Sequence, residues 1–168
     1  MAGTRTIILT HEQIERKMLR MAWEIYENNH LAQQLVLLGI ADNGTHIAHA
    51  LGKILSDISK IKIETGRINL DKPKGFDSEV ILKCDVDLTG KTVIMVDDVL
   101  NSGKTMLACM APVINKKPAK IQTAVLANRN HKAFPVKADI VGISLATTLQ
   151  EHIWFAIEPQ DKMIVFLT

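Results

Sequence analysis

The sequence predicts an α/β domain in which helices flank a mostly parallel central sheet. Three observations carry that reading. Residues 35–40 are a short continuous apolar run, as expected of a strand buried on both faces, and 92–96 and 121–126 are further strand-like stretches, the former β-branched. The first two lead through a short polar turn into a helix-patterned stretch, the repeating unit of parallel sheets. The 168 residues hold no internal repeat, no low-complexity stretch and no linker, so residues 1–168 read as one domain.

The elements follow in order. Residues 11–29 predict the first helix. Thr10 and Gln13 have the spacing of a capping box, in which the threonine hydroxyl accepts an otherwise unpaired backbone N–H. Ile14, Met18, Met21, Ala22 and Ile25 recur at helical spacing and make one buried stripe, and Asn28 and Asn29 suit the exit. The strand at 35–40 is interrupted by Ala41-Asp42-Asn43-Gly44, and Thr45 is placed to cap a helix over 45–57 with Ile47, Ala48, Leu51, Ile54 and Leu55 on its apolar face. Residues 60–66 alternate as a strand does. The stretch 69–79, with Lys72-Pro73-Lys74-Gly75, reads as a mobile loop or a plain solvated connector. A short strand at 80–82 precedes a turn at Thr89-Gly90. The β-branched run 92–96 is a central strand, and a helix over 103–115 follows with Met106, Leu107, Met110 and Val113. Strands at 121–126, 139–142, 153–157 and 163–167 complete the pattern.

Composition closes several routes. Cys84 and Cys109 are too few and too isolated for a disulfide scaffold or a zinc site, and they suit a reducing compartment. His46 and His49 lack a third ligand at zinc spacing. The formal charge of +2 does not compel a nucleic-acid partner. Neither a signal-peptide pattern nor an apolar run of membrane-spanning length is present, so a soluble cytoplasmic protein is expected.

The chemistry concentrates at 93–105. Here a buried strand ends in two adjacent carboxylates, and a short polar turn opens a helix. Ligands of open α/β sheets gather at the carboxyl ends of strands. Asn101-Ser102-Gly103-Lys104-Thr105 has the parts of an anion cradle. Gly103 permits a left-handed backbone, the helix start offers N–H groups, and Ser102 and Thr105 add hydroxyls. Lys104 either adds charge or turns to solvent. The run ends in Gly-Lys-Thr but is no Walker A loop, because that motif needs glycine where Asp98 stands.

Carboxylates repel phosphate, so Asp97 and Asp98 serve another part of a ligand: a vicinal diol, or a magnesium ion. Adjacent side chains on an extended backbone face opposite ways, which divides the two roles. Together the segment describes a site for a 5-phosphorylated ribose, against the alternative of an acidic turn without ligand. Residues 39–44 offer a second loop at a strand end, suited to a further anion or to a plain βα turn.

Residues 93–106 resemble the signature of type I phosphoribosyltransferases: apolar strand, two acids, two apolar residues and a turn into Gly-x-Thr. Within that family the similarity is to the uracil phosphoribosyltransferase and pyrimidine-operon attenuation (PyrR-like) proteins. It extends through the first helix, the 39–44 loop, 121–131 and 134–142. The resemblance implies the type I phosphoribosyltransferase fold with a small hood, and phosphoribosyl transfer from 5-phosphoribosyl 1-diphosphate to a nucleobase, a pyrimidine such as uracil, with Mg²⁺ and release of diphosphate. By the same resemblance, Asp97 and Asp98 would be the catalytic and metal-linked pair at the ribose. Asn101, Ser102, Gly103, Lys104 and Thr105 would hold the 5-phosphate, and Ala41, Asp42, Asn43 and Gly44 would face the diphosphate. Residues 66–79 would be a flexible loop closing over the centre, residues 142–148 would lie beside the base, and Arg129 would stand near it. It also implies self-association as a homodimer or higher homo-oligomer.

Two further readings stand beside transfer. One is an RNA-binding attenuation regulator, for which Arg16, Lys17 and Arg20 on the first helix are the candidate patch, although Glu12, Glu15 and Glu24 surround them as on a solvated face. The other is a paralogue that binds ribose phosphate without catalysis.

Overall fold

Five parallel strands form the centre of the molecule. The computed structural model describes residues 5–70, 80–83, 86–148 and 151–168. In chain order the elements are β1 (Thr6–Leu9), α1 (His11–Asn28), β2 (Gln34–Ile40), α2 (Ala41–Ile58), β3 (Lys62–Leu70), β4 (Val80–Lys83), β5 (Thr92–Leu100), α3 (Lys104–Ile114), β6 (Lys120–Arg129), β7 (Ile140–Leu145), β8 (Ile153–Glu158) and β9 (Lys162–Leu167). The six-stranded sheet runs β4-β3-β2-β5-β6-β7. Only its β4 edge is antiparallel. A separate antiparallel sheet, β1-β9-β8, forms the small hood. The α/β class and its mostly parallel sheet are as the sequence predicts.

Strand alternation distributes the core. On β5, Ile94 and Val96 join Ile14, Met21 and Ile25 of α1 and Ile47, Leu51 and Leu55 of α2. Val93 and Met95 point the other way, into a second cluster with Met106, Cys109 and Val113 of α3. All five stripe residues of α1 are buried. Each fully buried aliphatic side chain is worth about 1.5–3 kcal/mol, so both faces of β5 are fixed and its carboxyl end is presented on a rigid base. The capping box is formed: Thr10 Oγ1 accepts the Gln13 N–H at 3.4 Å, and Gln13 Oε1 accepts the Thr10 N–H at 2.9 Å.

Several boundaries move, for physical reasons. The helix expected over 45–57 begins four residues earlier, at Ala41, with Ile40 as its cap residue. Thr45 is therefore no cap; its hydroxyl bonds back to the Ala41 carbonyl, one turn behind. Strand β5 continues through Asp97 and Asp98 to Leu100, because its parallel ladder with β6 runs on to the Leu100–Asn128 register pair. Strand β7 likewise reaches Leu145, paired with Arg129. Of the loop expected at 66–79, residues 66–70 continue β3, and 71–79 lie outside the described residues. Among the described residues, no helix is long and apolar enough to cross a membrane.

Candidate functional site

The carboxyl ends of β5, β2 and β6 converge with the entrances of α3 and α2. Asp97 follows Met95 onto the α3 side of the sheet, and there it lines a narrow cleft of about 60 Å³ with residues 99–106. It is only 8% exposed. Burial, and next the charge of Asp98, hold its carboxyl well above the usual carboxylate range. Asp98 faces the α2 side. Its Oδ2 accepts from Asn43 Nδ2 at 2.7 Å, and its Oδ1 accepts from the Val99 N–H at 2.8 Å. The Asp98 N–H donates to Asp97 Oδ1 at 2.9 Å. The two acids thus have different surroundings, the α3 cleft for Asp97 and Asn43 of α2 for Asp98.

The turn after β5 is shaped by Gly103, which caps α3 with φ 86° and ψ −5°. That backbone region suits glycine. It aims the start of α3 at the cleft, where the first helical N–H groups lack partners four residues back. Ser102 Oγ accepts the Lys104 N–H at 3.3 Å. The Ser102 carbonyl accepts from the Ala133 and Phe134 N–H groups at 3.1 and 3.0 Å, which pins the turn to the loop after β6. Asn101, Lys104 and Thr105 are exposed at the rim.

Ala41, Asp42, Asn43 and Gly44 form the first turn of α2 rather than a free loop. Ala41 has φ 54°, a left-handed value that costs a non-glycine residue roughly 1–2 kcal/mol. Such local strain is found where a backbone must take a particular direction. Gly44 permits the approach of α2 to β5, because a Cβ there would lie 2.6 Å from the Val96 carbonyl oxygen. Asn43 can therefore reach Asp98. The Asp42 carboxylate pairs with the Arg67 guanidinium of β3, which also holds Asn69.

Arg129 stands at the end of β6 and turns to the segment after β7. Its Nε donates to Thr147 Oγ1 at 2.6 Å and its Nη2 to the Thr148 carbonyl at 2.6 Å. His131 Nε2 lies 2.8 Å from the Thr147 carbonyl. Arg129 thus braces residues 147–148, within the 142–148 segment near which the resemblance places it. Two residues escaped the sequence reading. Arg67 is one. Lys132 is the other: its Nζ donates to Asn128 Oδ1 at 2.6 Å and to the Leu100 carbonyl at 3.5 Å, tying the ends of β5 and β6. Burial lowers its pKa. No local pattern marks either residue, because Asp42 of α2 and Leu100 of β5 reach them only through the fold.

Elsewhere, Cys109 is buried beside Asp97, and burial pushes its thiol up to about 12, so it stays un-ionised. Arg16, Lys17 and Arg20 line a hollow of about 500 Å³ with Ile8, Leu9, Gln13 and Ile143. Arg20 also donates to the Val141 and Gly142 carbonyls at 2.7 and 2.8 Å and pairs with Glu24 at 3.4 Å. Among the described residues, no group of three or more His, Cys, Asp or Glu side chains is placed to hold a metal. Two carboxylates at a strand end fit a magnesium ion that arrives on a phosphate ligand, because that ion keeps waters and needs one or two protein carboxylates.

The model of the phosphoribosyl transferase domain matches residues 4–162. The chain belongs to the type I phosphoribosyltransferase family. Within that family it is closely related to bifunctional PyrR proteins: it is 33% identical to the one from Chloroflexus aurantiacus over 95% of this chain and 92% of the relative. It is 34% identical to that from Clostridium novyi over 94% and 93%. Solved structures share the fold at lower identity. A hypoxanthine-guanine phosphoribosyltransferase from Bacillus anthracis superposes with a TM-score of 0.72 at 20% identity, covering 84% of this chain and 82% of the other. A hypoxanthine phosphoribosyltransferase from Trypanosoma cruzi in a ternary substrates complex gives 0.74 at 20%, covering 83% and 80%.

Proposed function

We propose that this chain is a ligand-sensing regulator of the PyrR kind, whose sensor is a 5-phosphoribosyl site at the ends of β5 and α3. One observation carries the reading: within the nine residues 97–105, Asp97 in the α3 cleft and its neighbour Asp98 on Asn43 stand beside a helix entrance opened by a left-handed glycine. The α3 entrance takes the 5-phosphate through backbone N–H groups and the Ser102 and Thr105 hydroxyls. Asp98 accepts the ribose hydroxyls, and Asp97 supports it by accepting the Asp98 N–H. The similarity to bifunctional PyrR proteins over more than nine-tenths of the chain favours a second function. The basic hollow at Arg16, Lys17 and Arg20 is the surface that suits RNA phosphates.

The second function is transfer of phosphoribose from 5-phosphoribosyl 1-diphosphate to a nucleobase, with a pyrimidine as acceptor. The acid pair favours it, since a cationic sugar centre develops as diphosphate leaves and fixed carboxylates beside it lower that barrier. The bond from C1 of the ribose to the diphosphate oxygen breaks, with its electron pair leaving on the diphosphate; a ring nitrogen of the base bonds C1 from the opposite side, and its proton passes to solvent. The N–H groups of 42–44 face the departing diphosphate. Arg129 holds residues 147–148 beside the base. A magnesium ion carried by the diphosphate would be held by Asp97 and Asp98 and would neutralise charge on the leaving group. The chain associates with a second copy of itself in both readings.

The test is a titration with uridine 5′-monophosphate and with a pyrimidine leader RNA, alongside a diphosphate-release assay with a panel of bases. Nucleotide binding together with salt-sensitive RNA binding supports the regulator. Base-dependent diphosphate release that Asp98→Asn depresses, with little change in melting temperature, supports transfer. Absence of nucleotide binding overturns both readings.

A further inference from the structure

The two helix entrances at the site differ in one respect. The first turn of α3 carries no acidic residue, whereas the first turn of α2 carries Asp42. That carboxylate sits at the positive end of the α2 dipole, where an anion is favoured. It also holds Arg67, which lies opposite Gly39 in the parallel ladder and reaches over from β3. Its neighbour Asn43 is engaged with Asp98. The groups that would receive an anion at α2, namely the helix end and a guanidinium, already have one supplied by the chain.

We infer that Asp42 is a built-in substitute for the diphosphate and makes the site select ligands with one phosphate, such as nucleoside 5′-monophosphates, over ligands that also carry a diphosphate at C1. The inference rests on the proposed reading of 101–105 as the 5-phosphate cradle and of 42–44 as the diphosphate end. A monophosphate fills that cradle and leaves the Asp42–Arg67 pair intact. A diphosphate must displace the carboxylate from Arg67 and then remain near it as a like charge. The Asp42 side chain is 86% exposed and that of Arg67 40%, so the pair is weakly held and screened by salt. It acts as a reversible latch that a diphosphate opens at a cost in affinity. Turnover then requires Asp42 to release Arg67, which places nucleotide sensing ahead of catalysis in the unperturbed chain.

The experiment is calorimetric titration at low ionic strength of the full chain, Asp42→Asn and Asp42→Asn with Arg67→Gln. The probes are inorganic diphosphate and uridine 5′-monophosphate. Asp42→Asn is expected to tighten diphosphate binding about tenfold, from removal of one charge next to a multiply charged ligand. The gain shrinks at high salt. Monophosphate affinity changes by less than about twofold when the titration is repeated at about 0.15 M salt, where the Debye length is about 8 Å, because this ligand leaves the Asp42–Arg67 pair intact. Adding Arg67→Gln removes the diphosphate gain. Unchanged diphosphate affinity in Asp42→Asn, with monophosphate binding intact, overturns this inference alone. Failure of the monophosphate to bind any form overturns the cradle reading and this inference with it.

Discussion

Replacing Gly103 with alanine tests whether the phosphate turn depends on a left-handed backbone. At φ 86° and ψ −5° a residue with a Cβ costs roughly 1–2 kcal/mol. The new methyl would also lie 3.3 Å from the Phe134 carbonyl oxygen and 3.3 Å from Val136 Cβ. Those atoms cannot retreat freely, because the 133–134 N–H groups are bonded to the Ser102 carbonyl on the same turn. Strain and contact together set a destabilisation of about 2–3 kcal/mol. For a chain of this size that lowers the melting temperature by about 4–12 °C. Urea unfolding should show a lower midpoint with an unchanged slope, the signature of lost stability with the same surface exposed on unfolding. Titration with uridine 5′-monophosphate should show a further loss of affinity, since the α3 amides turn away from the cleft. A melting temperature within about 1 °C of the parent, where even 1 kcal/mol shifts it by 2 °C or more, would refute the claim that this conformation needs glycine.

Two further outcomes follow from the same geometry. Burial and Asp98 raise the Asp97 carboxyl, so the folded chain retains a proton that the unfolded chain releases, and stability falls as pH climbs above the ordinary value of 3.8. Asp97→Asn removes that titration: it should melt above the parent at neutral pH, lose this advantage as pH approaches 3.8, and bind ligand less well. Thr10→Ala deletes one arm of the capping box and should cost about 1 kcal/mol in chemical denaturation, with nucleotide affinity unchanged because Thr10 lies outside the cleft.

Legibility in the sequence tracked the distance over which each feature is determined. Helix α1 was readable almost to the residue, since its cap and its stripe of Ile14, Met18, Met21, Ala22 and Ile25 are set within five turns of chain. The α2 start was misplaced because Thr45 has the chemistry of a cap, while the Ala41 backbone that begins the helix carries no residue-type signal. Strand β1 went unread: its four residues gain their ladder from β9 at the other end of the chain. The acid pair and Gly103 were legible, being contiguous and chemically unusual. Arg67 and Lys132 were not, because Asp42 and Leu100 are brought to them only by the fold.

Because Asp97 lines the α3 cleft and Asp98 is held by Asn43 of α2, anything gripping both carboxylates clasps the two helix entrances across the end of β5. Occupancy would then be felt throughout the interior, well beyond the few groups at the mouth. Amide protons in α3 and in α2, on opposite sides of the sheet, would slow their exchange in step as the clasp filled.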